Sequence, residues 1–101
     1  MDLSQKDWIS GLKSNENSVL LDVRSIEEHT NERIPNSILI DINKPKEFLE
    51  KLESLDKDKK YYIYCRSGNR SSRACHIMKS MGYKSTYNLM GGIIEWQGDI
   101  E

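Results

Sequence analysis

The sequence predicts an α/β domain built on a parallel sheet, and three observations lead there. Short apolar runs of strand character alternate with segments of helical spacing. No repeat, low-complexity tract or linker interrupts that alternation, so residues 1–101 read as a single domain. Two predicted strand ends carry chemically loaded residues, Asp22-Val23-Arg24 and Cys65-Arg66. In a parallel α/β sheet, ligands gather beyond the carboxyl ends of the strands, so both groups belong on one edge.

The elements follow in order. Ser4-Gln5-Lys6-Asp7 has capping-box spacing, and Trp8, Ile9 and Leu12 continue at helical intervals. Ser14 to Ser18 is a polar turn. Val19-Leu20-Leu21-Asp22-Val23 is a short apolar run bounded by polar residues, the pattern of a buried strand. Ile26 to Glu32 forms a short polar helix or turn, broken at Ile34-Pro35 because proline disfavours helix at the residue before it. Ser37-Ile38-Leu39-Ile40 is the second strand. Pro45 suits a first helical turn, and Phe48, Leu49, Leu52 and Leu55 supply one apolar face. Asp56-Lys57-Asp58-Lys59-Lys60 is a solvated turn. Tyr61-Tyr62-Ile63-Tyr64 is rich in β-formers and makes the third strand. The next helix places Ala74, Ile77, Met78 and Met81 on one face and stops at Gly82. Ser85-Thr86-Tyr87-Asn88 is a weaker fourth strand. Gly91-Gly92 is a loop, and Ile93 to Gln97 makes a last helical turn.

Composition narrows the function. Charged residues are 31% of the chain, above the usual quarter, which implies a lean core. The net charge of −1 gives no long-range field to hold a polyanion, so no nucleic-acid partner is expected. No apolar run is long enough for a transmembrane helix, so no membrane partner is expected either. The start, Met1-Asp2-Leu3-Ser4, lacks the features of a signal peptide. With only two cysteines, a disulfide scaffold is excluded on count, and the expected compartment is the cytoplasm.

Cys65-Arg66-Ser67-Gly68-Asn69-Arg70-Ser71 is the most informative stretch. It runs from a strand end into a helix start. Its backbone N–H groups can turn inward toward the cysteine sulfur, and Gly68 permits the backbone angles such a cradle needs. The following helix adds the positive end of its dipole, and Arg66 and Arg70 add full charges. Each favours the thiolate, and thiols so placed have pKa values of roughly 3.5–7.5. The thiolate is the nucleophile, so Cys65 needs no histidine base. The same cradle binds an anionic substrate through its arginines.

At this point the chain resembles the single-domain rhodaneses, sulfurtransferases acting on thiosulfate or persulfides. The resemblance spans Val19 to Trp96. It rests on Leu20-Leu21-Asp22-Val23-Arg24, on the acids Glu27-Glu28, and on Ile34-Pro35. It rests further on Tyr64 to Ser71, and on Tyr87-Asn88-Leu89-Met90-Gly91-Gly92 followed by Trp96. The resemblance implies a rhodanese-like, five-stranded, largely parallel sheet with helices on both faces. It implies a ping-pong reaction in which Cys65 takes the outer sulfur of a small anionic donor and passes it to cyanide, a thiol or a protein acceptor. Residues Arg66, Ser67, Gly68, Asn69 and Arg70 would bind the donor and the persulfide. No metal or organic cofactor is implied. The chain departs from the family pattern around Ile34-Pro35, where Arg33, Asn36 and Ser37 stand in place of His and Gly-Ala.

Two rival readings accompany this one. One is a non-enzymatic persulfide carrier or sensor module serving a partner protein. The other is a Cys-dependent phosphatase or arsenate reductase, on the same fold. Those enzymes carry five residues between cysteine and the final arginine, whereas only Arg66, Ser67, Gly68 and Asn69 intervene here. Asp22 and Arg24 are candidates for supporting the site, either by fixing a guanidinium of Arg66, Arg70 or Arg73 or as a plain ion pair at the strand end. Cys75 is read as a small buried residue, with a resolving thiol as the sharper alternative. His29 and His76 have no partner at metal spacing.

Overall fold

The computed structural model describes residues 1–101. Its elements alternate as β1 (Asp2–Leu3), α1 (Gln5–Ser14), β2 (Ser18–Asp22), α2 (Ile26–Asn31), β3 (Ile38–Leu39) and α3 (Pro45–Ser54). They continue as β4 (Lys60–Tyr64), α4 (Asn69–Ser80) and β5 (Ser85–Leu89), and the 3-10 turn Ile93–Glu95 follows. All five strands are parallel, in the order β1-β5-β4-β2-β3. No helix is long and apolar enough to cross a membrane.

Alternation along the central strands divides the core in two. Successive side chains on a strand point to opposite faces. Leu21 of β2 and Tyr61 and Ile63 of β4 face one side, where Phe48 and Leu52 of α3 and Ala74, Cys75 and Met78 of α4 cover them. Leu20, Tyr62 and Tyr64 face the other side, where Trp8 of α1 covers them. Helices therefore lie on both faces. Burial on both sides explains why Leu20-Leu21 and Tyr61 to Tyr64 read as unbroken apolar runs. Trp8 is fully buried and meets Tyr62, Tyr64 and Trp96 edge-on, while its Nε1–H donates to the Tyr87 carbonyl at 3.2 Å. An indole with its N–H satisfied can fill a core without an unmet polar group.

Three details differ from the sequence reading. β1 has no periodicity to read because it is only two residues long; it forms because β5 offers an edge. There Asn88 N–H donates to the Met1 carbonyl at 2.8 Å, and Met90 N–H to that of Leu3 at 2.9 Å. On α3, Phe48 and Leu52 are buried, but Leu49 is 42% exposed, since the stripe facing the sheet is narrower than the apolar spacing suggested. At the start of α1, Ser4 Oγ accepts from Asp7 N–H at 3.3 Å, one half of a capping box. The complete box is at α2. There Glu28 N–H donates to Ser25 Oγ at 3.2 Å, and Ser25 N–H donates to Glu28 Oε1 at 3.1 Å.

Candidate active site

The register pairs Asp22 with Tyr64, so β2 and β4 end side by side and bring Asp22, Arg24 and Cys65 to one edge of the sheet. Cys65 lies immediately beyond β4 and is 1% exposed. Gly68 N–H reaches its Sγ at 3.1 Å, Ser71 N–H at 3.4 Å, and Ser71 Oγ at 3.3 Å. Gly68 has φ 106°, a left-handed angle that turns the chain into α4 and aims these donors inward. α4 is twelve residues long and directs its N-terminus at the sulfur. Burial opposes ionisation of Cys65. The hydrogen bonds from Ser71, Gly68 and Ser67 outweigh it, and the thiol pKa falls below its ordinary value.

The arginines serve differently from each other. Arg70 is bound by Glu28 of α2 through two parallel bonds, at 2.7 and 2.9 Å. That pairing, opposed in part by burial and helped by Ser25, holds the Glu28 carboxyl down to about 2. Arg70 thus ties the loop to α2, while its charge still attracts the Cys65 thiolate without a hydrogen bond to Sγ. The hydrogen bonds on Sγ come from N–H groups and a hydroxyl. Arg66 is exposed and makes no ion pair. It lines a cleft of about 250 Å³ with Arg24, Glu28, Asn31, Glu32, Ile93 and Ile94. Ser67 and Asn69 are exposed on the loop.

Asp22 is fully buried at the strand end. Its carboxylate accepts from Arg24 N–H and Nε at 2.9 Å and from Arg24 Nη2 at 2.8 Å. It also accepts from Tyr64 Oη at 3.0 Å and lies 2.8 Å from His29 Nδ1. Burial alone would raise its pKa, but the Arg24 and His29 bonds prevail and lower it. Asp22 makes the plain ion pair with Arg24 and bonds to none of Arg66, Arg70 or Arg73; Glu28 is the carboxylate that fixes a loop guanidinium. Tyr64 Oη accepts from Ile34 N–H at 3.1 Å, which ties the Ile34-Pro35 loop to the same cluster.

Gly91-Gly92 closes the site from the other side. Ile93 N–H donates to the Cys65 carbonyl at 3.0 Å, and Ile94 N–H to that of Arg66 at 3.1 Å. Gly92 has φ 61° and ψ −163°, a conformation reserved almost wholly for glycine. A Cβ there would stand 2.3 Å from the Arg66 carbonyl oxygen. Gly92→Ala is therefore expected to destabilise the fold by at least about 2 kcal/mol. It should also slow alkylation of Cys65 by displacing the loop. Urea unfolding and an alkylation time course check both, and wild-type values for the two would show that this loop tolerates a side chain.

Sequence reasoning passed over three residues that the fold brings to the site. Along the chain Ser71 is only the end of the loop, Glu28 only one of two acids, and Asn88 only a strand residue within the Tyr87 to Gly92 motif. The Ser25-x-x-Glu28 spacing was a signal for the α2 cap, but nothing along the chain links Glu28 to Arg70. Cys75 is buried in the same apolar cluster as Cys65, and burial pushes its thiol up to about 11. That stands against a resolving thiol. His76 is exposed on α4, and no group of three or more His, Cys, Asp or Glu side chains is arranged to hold a metal ion.

Comparison with known proteins bears on the family and the fold. The profile of the rhodanese-like domain matches residues 5–99. YtwF of Bacillus subtilis, which bears a provisional sulfurtransferase name, is 39% identical over 90 residues, covering 89% of this chain and 84% of its own. The thiosulfate sulfurtransferase GlpE of Coxiella burnetii is 32% identical over 79 residues, covering 78% of this chain and 71% of its own. Some relatives are longer; the chain spans 52% of YrkF of Bacillus subtilis, which bears a provisional sulfur-carrier name. Among solved structures, a rhodanese-related protein of Thermoplasma volcanium superposes with a TM-score of 0.82 at 31% identity, over 99% of this chain and 96% of its own. The chain belongs to the rhodanese-like domain family.

Proposed function

We propose that this domain is a rhodanese-type sulfurtransferase that moves a sulfane sulfur from thiosulfate or a persulfide, through a Cys65 persulfide, to cyanide or a thiol. The carrying observation is the Cys65 sulfur with the N–H groups of Gly68 and Ser71 and the Ser71 hydroxyl all directed at it. A thiolate held this way attacks the outer sulfur of thiosulfate. The S–S bond of the donor breaks, and sulfite leaves with its electron pair. The acceptor then attacks the outer sulfur of the persulfide, and the Cys65 thiolate returns as the leaving group. All bond changes are at sulfur, and the reaction as proposed uses no metal or organic cofactor.

Cys65 is the catalytic residue in this reading. Arg66, Ser67, Gly68, Asn69 and Arg70 form the loop that binds the donor. Arg66 meets the anion at the exposed rim, and Arg70, through Glu28, keeps the loop in place. Asp22 and Arg24 support the loop from the end of β2. Arg66→Ala is expected to raise the KM for thiosulfate about threefold to tenfold with little change in kcat, as for a charge-assisted contact. Steady-state kinetics check this, and an unchanged KM would remove Arg66 from donor binding.

Phosphoryl or arsenate transfer fits less well. Only four residues separate Cys65 from Arg70, one fewer than enzymes of that kind carry, and both Nη atoms of Arg70 are paired with Glu28. The carrier reading is favoured by one observation, the similarity to YrkF. Intact mass after brief incubation with thiosulfate tests the main proposal. The expected result is a gain of one sulfur, about 32 Da, removed again by cyanide or a small thiol. Loading only from a protein persulfide would favour the carrier. No loading from any sulfane donor would overturn both.

A further inference from the structure

Ser71 Oγ lies between two acceptors. It stands 3.3 Å from Cys65 Sγ and is hydrogen-bonded to Asn88 Oδ1. The other neighbours of Asn88 decide which way its amide points. Asp2 Oδ1 lies 3.0 Å from Nδ2 and the Gly68 carbonyl oxygen 3.2 Å from it, and both of these only accept. Nδ2 must therefore face them, and Oδ1 must face Ser71. A hydroxyl carries one proton, so a Cys65 thiolate and the Asn88 oxygen cannot both receive it. Asn88 is buried, and water does not relieve the contest.

We propose that Asn88 is a positioning residue that competes with the Cys65 sulfur for the Ser71 hydroxyl proton. While Cys65 is a thiol, its S–H donates to Ser71 Oγ and the Ser71 O–H donates on to Asn88 Oδ1. When Cys65 ionises, the hydroxyl turns to Sγ and the Asn88 oxygen loses its donor. Asn88 thus restrains the ionisation that the Gly68 and Ser71 N–H groups favour. The restraint serves reactivity, because the nucleophilicity of a thiolate falls with its pKa at a Brønsted slope of about 0.4–0.5. The inference concerns ionisation alone and stands whether or not thiosulfate is the donor.

Asn88→Leu isolates the contact. The Gly68 carbonyl keeps a second donor, Ser72 N–H at 3.1 Å, and Asp2 is exposed to water. Only the Asn88 oxygen facing Ser71 is lost without replacement. The charged groups around the site are Arg66 and Arg70 of the loop, Glu28 of α2, the Asp22–Arg24 pair at the end of β2, and Asp2 of β1, and the substitution replaces none of them.

The test is the pH dependence of Cys65 alkylation by iodoacetamide in the full chain. Asn88→Leu is expected to lower the midpoint by about one pH unit, the scale of a hydrogen bond to a charged group. The plateau rate should fall about threefold. Ser71→Ala should raise the midpoint, and adding Asn88→Leu to it should give no further fall. A loosened loop alone would raise the midpoint in Asn88→Leu, which overturns the proposal. So does an equal fall with Ser71 absent. The unaltered protein supplies a measurement that needs no variant. The side-chain carbonyl carbon resonance of Asn88 should titrate with the Cys65 midpoint, and one that does not move overturns the inference.

Discussion

Cys65→Ser is expected to abolish sulfur loading while the fold stays in place. A serine hydroxyl ionises far outside the working pH range, so the loop has no anion to present. The N–H groups of Gly68 and Ser71 still find an acceptor, because Oγ replaces Sγ at nearly the same point. The change removes little apolar volume from the cluster that includes Ala74 and Cys75, and the stability loss should stay near about 1 kcal/mol. Intact mass after thiosulfate and a thermal melt read the two effects. Cys75→Ser belongs beside it and should load like the wild type, since burial pushes the Cys75 thiol up to about 11. Loading of Cys65→Ser above a few per cent of wild type would place the nucleophile elsewhere.

Asp22→Ala is expected to cause the largest loss of stability of any single change near the site. Asp22 is fully buried and Arg24 is 3% exposed. Truncating the carboxylate leaves the guanidinium with the Glu32 carbonyl, at 2.6 Å, as its hydrogen-bond acceptor. Removing one partner of a buried ion pair costs about 3–5 kcal/mol, because the remaining charge stays desolvated. Tyr64 Oη and His29 lose a partner as well, and both anchor segments around the loop. The pH dependence has a fixed sign. The folded-state pKa of Asp22 lies below its ordinary value of 3.8. Its contribution is therefore fully present above pH 3.8 and is lost as pH falls through the folded value. Urea unfolding at pH 7 should show the full difference between wild type and Asp22→Ala, and the gap should narrow in acid below 3.8. A gap that stays constant into acid would show that the carboxylate carries no such linkage.

Much of this was legible in order along the chain. The strand runs at Leu20-Leu21 and Tyr61 to Tyr64 announced themselves because both of their faces are buried. Cys65 and Gly68 were legible because a cradle of N–H groups around a sulfur needs a strand end, a helix start and a left-handed turn within a few residues, which is a local requirement. Pro45 and Gly82 marked helix limits for equally local reasons. β1 was not legible, since two residues hold no period and the edge that receives them lies more than eighty residues away. Leu49 was misread because apolar spacing reports which residues can share a face, while the neighbouring sheet decides how much of that face is covered.

The site divides the same way. By itself the sequence determined the fold class and the family and singled out Cys65 as the proposed nucleophile, because each is carried by short spans whose conformations follow from their own residues. The Asp22–Arg24 pair is local, but only the tertiary structure decided the distant partners: Glu28 for Arg70, His29 for Asp22, and Asn88 for Ser71. Those pairs join α2 to the loop, α2 to β2, and β5 to α4. A charge or hydroxyl seeks its nearest complement in space, and which complement is nearest depends on how strands separated in sequence come to lie side by side.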